Sequence, residues 1–139
     1  MISINLFSHQ AHMDLNATKA WYAQSSGWNC DCGHCRNFIR LATQRKLPAP
    51  ILDVLDELGI PAEKATYVCE ILPEKEGFLY QFSYRICGTF HGEVSSILQS
   101  WGEIRCCHEP YPYGAPDFPT PHFDLEFWVT LPCILDELR

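Results

Sequence analysis

The feature that most constrains this chain is a change of hydrophobic period at Pro61. Before it, apolar residues recur at helical spacing; after it, they alternate, and one period cannot serve the other element. In the run Ile51, Leu52, Val54, Leu55 and Leu58 the apolar side of a helix is set against Asp53, Asp56 and Glu57. Pro50 suits its first turn and Gly59 its C′ position. From Phe78 to Cys87 the pattern has period two: Phe78, Tyr80, Phe82, Tyr84 and Ile86 share a face, with Gln81, Ser83, Arg85 and Cys87 on the other.

Other elements follow the same division. Arg36 to Lys46 reads as a helix burying Phe38, Ile39, Leu41 and Ala42, with Arg45 and Lys46 in its last turn. Asn16 to Gln24 reads as a short helix capped by Asn16. Met1 to Phe7, Thr66 to Leu72, Glu103 to His108 and Phe123 to Leu131 read as strands, with a turn over Pro73 to Gly77. Helices early and strands late, without βαβ alternation, predict an α+β fold. Residues 1–139 form a single domain, mainly an antiparallel sheet with two or three N-terminal helices packed on one face and a partly wet second face.

At 139 residues, 47% apolar and 19% charged, the chain is long and hydrophobic enough to bury a core. A net charge of −7 disfavours nucleic acid and anionic lipid as partners. Met1 to Leu15 lacks the pattern of a secretory signal and no apolar run reaches the length of a membrane span. The expectation is a cytoplasmic protein that binds neither nucleic acid nor membrane.

Eight cysteines then have to be sorted by neighbourhood. In a reducing compartment clustered thiols bind metal or do thiol chemistry, whereas isolated ones fill core. Cys30, Cys32 and Cys35 fall within six residues, in a loop leading into a helix. Zinc takes thiolates tetrahedrally, and a Cys-x-x-Cys pair at the mouth of a helix is a common half-site. The metal reading therefore assigns Cys30, Cys32 and Cys35 to zinc, in a structural or regulatory role. Its fourth ligand would come from Cys107, His108, Cys106, His91 or Cys87, or from water.

A redox reading uses Cys32 and Cys35, with Cys35 the nucleophile because it lies nearest the helix start and Arg36, and Cys32 its resolving partner. A third reading gives the cysteines no special chemistry and makes the chain a protein-interaction module, its acidic surface suited to a basic partner. No Gly-rich phosphate loop or nucleophile elbow is present, so the leaning is against an enzyme. His91 and Glu93 lack an activated nucleophile nearby and read as turn residues. Cys69 and Cys133 read as buried, inert thiols. Pro110 to Pro121 holds half of the ten prolines together with Tyr111, Tyr113 and Phe118, and reads as a loop packed on its own sheet, or one that covers a pocket or binds a partner. Trp128, on the otherwise polar face of its strand, hints at a second buried surface.

The string CDCGHCRNF, Cys30 to Phe38, resembles the start shared by a family of small uncharacterised bacterial proteins with a Cys-Asp-Cys-x-x-Cys-Arg-Asn-aromatic motif. Trp21 and Tyr22, Leu55 to Lys64 (LDELGIPAEK) and Leu131 to Glu137 (LPCILDE) resemble the same family in the same order. The resemblance implies a small bacterial protein and supplies no activity. Cys133 stands where many of those proteins carry an aromatic, which implies core filling at that position.

Overall fold

The structure is a computed structural model describing residues 1–92, 96–108 and 114–138. Two short strands, β1 (Ile2–Leu6) and β2 (His9–Met13), precede three helices, α1 (Leu15–Gln24), α2 (Gly33–Thr43) and α3 (Ala49–Leu58). Five strands follow: β3 (Tyr67–Glu74), β4 (Gly77–His91), β5 (Ile97–Gln99), β6 (Gly102–Cys107) and β7 (His122–Leu131), with a closing 3-10 turn at Asp136–Leu138. They build a seven-stranded sheet in the order β1-β2-β4-β7-β6-β5, with β3 also paired to β4 and every pairing antiparallel. The expected α+β architecture is present.

The long strand β4 organises this arrangement. Its first part pairs with β3, its end with β2, and its other edge with β7 from Phe78 opposite Leu131 to Cys87 opposite His122. At the change of partner, Gly88 has φ 144° and a Cβ there would lie 2.1 Å from the His12 carbonyl oxygen, so only glycine admits β2 so closely. Tyr80, Phe82, Tyr84 and Ile86 meet Val129, Phe127, Leu125 and Phe123 on the core face, all of them buried. Phe38 of α2 packs against Tyr80 and Phe82, with ring centroids 6.0 and 4.7 Å apart.

Several local expectations change. The cap of α1 is Asp14, whose carboxylate accepts the Ala17 N–H, and not Asn16. Helix α2 begins at Gly33, three residues early, because Cys32 itself serves as N-cap. It stops at Thr43, and Arg45, at φ 56°, leaves the helix to pair with Asp56 of α3. Pro50 and Gly59 take their expected places, Gly59 in the left-handed conformation.

The second sheet face is not wet in its centre. Gln81, Ser83, Arg85, Asp124 and Glu126 are all buried, and their charges are paired: Arg85 Nε to Asp124 Oδ1 at 2.9 Å and Arg105 to Glu126 at 2.6 Å. Gln81 and Trp128 Nε1 also donate to Glu126, and Trp128 is half-buried. Of the Pro110 to Pro121 stretch and of His91 with Glu93, the residues 110–113 and Glu93 lie outside the described residues. The described remainder of the proline stretch packs on both α1 and the sheet: Trp21 Nε1 donates to the Pro116 carbonyl, Phe118 sits 4.9 Å from the Trp21 ring and 5.8 Å from the His122 ring of β7, and the Pro121 carbonyl accepts from Gly88 N of β4.

Candidate metal centre

The first turn of α2 holds the site together. At an N-cap a side-chain acceptor satisfies an otherwise orphaned backbone N–H, usually through oxygen. Here Cys32 Sγ does so, accepting from Cys35 N at 3.4 Å, while Arg36 N closes on the Cys32 carbonyl at 2.9 Å. Cys35, three residues on, therefore points back at Cys32. Its own Sγ accepts from Trp28 Nε1 at 3.3 Å. Cys30 is brought in by the preceding loop, and the three Sγ atoms all lie within 4.8 Å of one another. Tetrahedral zinc with bonds near 2.3 Å needs sulfurs about 3.8 Å apart, so a small closure suffices.

The three thiols are not equivalent. Cys30 and Cys32 are exposed and Cys35 is buried. Burial pushes the Cys35 thiol well up, against the Trp28 N–H, and the neighbouring sulfurs of Cys32 and Cys30 push it further. At Cys32 slight burial opposes ionisation, but the Cys35 backbone N–H and hydrogen bonds from Cys35, Cys30 and His34 outweigh it and lower the pKa. This inverts the expected redox roles. Cys32 is the exposed, thiolate-favoured sulfur, and Cys35 is the buried partner, because the cap geometry matters more than nearness to Arg36.

The remaining contacts fix α2 to the C-terminal tail. Asn37, fully buried, donates through Nδ2 to the Pro132 carbonyl at 3.1 Å and the Tyr80 hydroxyl at 3.3 Å, and accepts the Ile134 N–H at 2.8 Å. The Tyr80 hydroxyl donates to the His34 carbonyl at 2.8 Å, between Cys32 and Cys35. Arg36 reaches Glu137 at 2.8 Å and Asp31 at 3.8 Å. Cys133 is half-buried and not fully enclosed as expected, with Sγ 3.3 Å from the Leu135 carbonyl; Cys69 is likewise half-buried.

The strand residues considered as fourth ligands stand elsewhere. The cluster lies beside Phe78 and Tyr80, at the start of β4. Tyr80 to Cys87 spans about 23 Å of extended chain. Cys87 opposes His122, and Cys106 and Cys107 oppose Leu125 and Asp124 from opposite faces of β6. His91 packs against His12 and His108 stacks on Phe90. Among the described residues, the group of mutually close donors contains Cys30, Cys32 and Cys35 alone.

Fold and site together define an α+β protein with a three-thiol centre at a helix mouth. No protein-family model, curated protein or solved structure matches the chain. Among the described residues no helix is long and apolar enough to cross a membrane.

Proposed function

We propose that this protein binds one zinc ion through Cys30, Cys32 and Cys35, and that the ion has a structural or regulatory role, fixing the loop before α2 to the first turn of that helix. The observation that carries this reading is the convergence of three sulfurs, two of them accepting N–H hydrogen bonds from Trp28 and from the Cys35 backbone. Such bonds spread thiolate charge and orient metal ligands. A divalent cation also removes the obstacle to ionising a buried thiol beside two others. We place the chain with the bacterial proteins that share the Cys-Asp-Cys-x-x-Cys-Arg-Asn start. Support comes from the way the resembling stretches meet: Asn37 and Arg36 bind the Leu131 to Glu137 stretch, and Lys64 Nζ donates to the Tyr22 carbonyl.

Chelation should lower the melting temperature, and Cys32→Ser or Cys35→Ser should lower both metal content and stability. Unchanged melting after chelation and in both variants would contradict the reading.

The N-cap geometry favours a second reading, a thiol-disulfide exchanger acting on a disulfide substrate. The Cys32 thiolate attacks one substrate sulfur and releases the other as a thiolate. Cys35 then closes the Cys32–Cys35 disulfide, displacing the second substrate sulfur, and its proton passes to a released thiolate. This requires metal-free protein as isolated and a Cys32–Cys35 disulfide in a glutathione buffer; zinc-loaded thiols that resist oxidation exclude it.

A further inference from the structure

Beside Cys30 lies a cleft of about 530 Å³, lined by Cys30, Asp31, Arg36, Ile39, Arg40 and Leu135 among others. That volume falls in the range of small-molecule sites. We propose that this cleft binds a small thiol bearing a carboxylate, whose sulfur fills the fourth position on the metal and whose carboxylate pairs with Arg40. The proposal deepens the zinc reading and rests on it.

Three observations lead there. The donor count is the first: the described residues place three sulfurs together, and the strand candidates lie at the far part of β4 and on β6. A tetrahedral ion with three protein ligands keeps one position for an outside group, and a set of three thiolates favours a soft fourth donor. The second is which wall of the cleft carries a metal ligand, since Cys30 belongs to both the thiol cluster and the cleft lining.

The third concerns charge. Arg36 is engaged by Glu137 and Asp31, whereas the side chain of Arg40, one turn further along α2, makes no hydrogen bond or ion pair with a described residue. An unpaired guanidinium in a cleft is a ready fork for a carboxylate. Asp31 is 99% exposed, so water screens its repulsion of an incoming anion. Ile39 and Leu135 supply apolar wall for a short carbon chain. On binding, the ligand thiol loses its proton to the buffer as its sulfur bonds the metal; no electrons move.

The test uses full-length protein loaded with cobalt(II), whose thiolate charge-transfer and ligand-field bands report the donor set. It compares N-acetylcysteine with N-acetylcysteamine, the same thiol without the carboxylate, and with S-methyl-N-acetylcysteine, which has the carboxylate but no free thiol. N-acetylcysteine should shift the bands at concentrations about two- to fivefold lower than N-acetylcysteamine, as one charge pair with the exposed Arg40 guanidinium allows. The S-methyl compound should leave them unchanged, and Arg40→Gln should erase the advantage of the carboxylate while leaving the bands of the ligand-free protein intact. Cobalt bands that no thiol alters, or equal shifts with both thiols, would overturn the proposal and leave the metal site standing. Loss of the protein bands to a free cobalt-thiol complex would overturn it too. Failure to develop thiolate bands at all would remove the zinc reading itself.

Discussion

Cys32 and Cys35 carry the same thiol and are driven in opposite directions by three residues of helix. Cys32 Sγ faces solvent at the N-cap and accepts a backbone N–H; Cys35 Sγ is buried behind it. Metal-free, reduced protein should therefore be alkylated by iodoacetamide first at Cys32. Its rate should be half-maximal at a pH below that of an ordinary thiol, since the lowered pKa keeps the thiolate populated as pH falls. Cys35 should stay unmodified until the protein unfolds, and peptide mapping across a pH series reads both. Equal rates at Cys32 and Cys35 would contradict the geometry. The spacing of the three cysteines was legible in the sequence because it is local. The inversion was not, because it depends on α2 starting at Gly33 with a sulfur as its cap.

At the scale of elements, α2 is held at both ends of its first two turns by groups distant in sequence. Asn37 makes three hydrogen bonds, two to the backbone of the tail and one to Tyr80. Asn37→Ala removes the partners of the half-buried Ile134 N–H, the Pro132 carbonyl and the Tyr80 hydroxyl; with about 1 kcal/mol net per lost bond, it should cost about 2–3 kcal/mol in chemical denaturation. A loss below about 0.5 kcal/mol would mean the tail is not clamped through Asn37. The strong periodic elements were legible: α3 matches residue by residue, and β4 and β7 lie where alternation put them. β2 was missed because Gln10 and His12 make one face polar and the buried His9 interrupts the apolar pattern of Ala11 and Met13 on the other, and β5 because it is only three residues long. The Asn37 clamp was illegible, since nothing in a sequence pairs a residue with a backbone N–H 97 positions away.

Across the whole molecule, the sheet buries charge on the face that alternation alone marks as wet. Arg85 and Asp124 are 4% and 2% exposed in their side chains. Burial pushes the Asp124 carboxyl up, and the Arg85 guanidinium opposes this. Arg85→Met leaves that carboxylate uncompensated and should cost about 3–5 kcal/mol at neutral pH. The sign with pH follows from the raised pKa. The folded state holds the Asp124 proton more tightly than the unfolded chain, so stability is lost as pH rises through the raised value and regained in acid. The deficit of Arg85→Met should therefore shrink below the carboxylate range, and Arg85→Met with Asp124→Leu should recover much of it. A deficit independent of pH would place the cost in packing.

The same sheet supplies the platform on which the thiol centre rests, through Tyr80 at the His34 carbonyl and Phe78 against the His34 ring. On the zinc proposal, this centre holds a metal ion. The most direct measurement is native mass spectrometry of protein purified under reducing conditions without a metal-binding tag, repeated on Cys32→Ser. About one zinc per chain in the wild type, absent in the variant, is the expected result for a three-thiolate site. Metal-free wild-type protein, or zinc retained in full by Cys32→Ser, would contradict it.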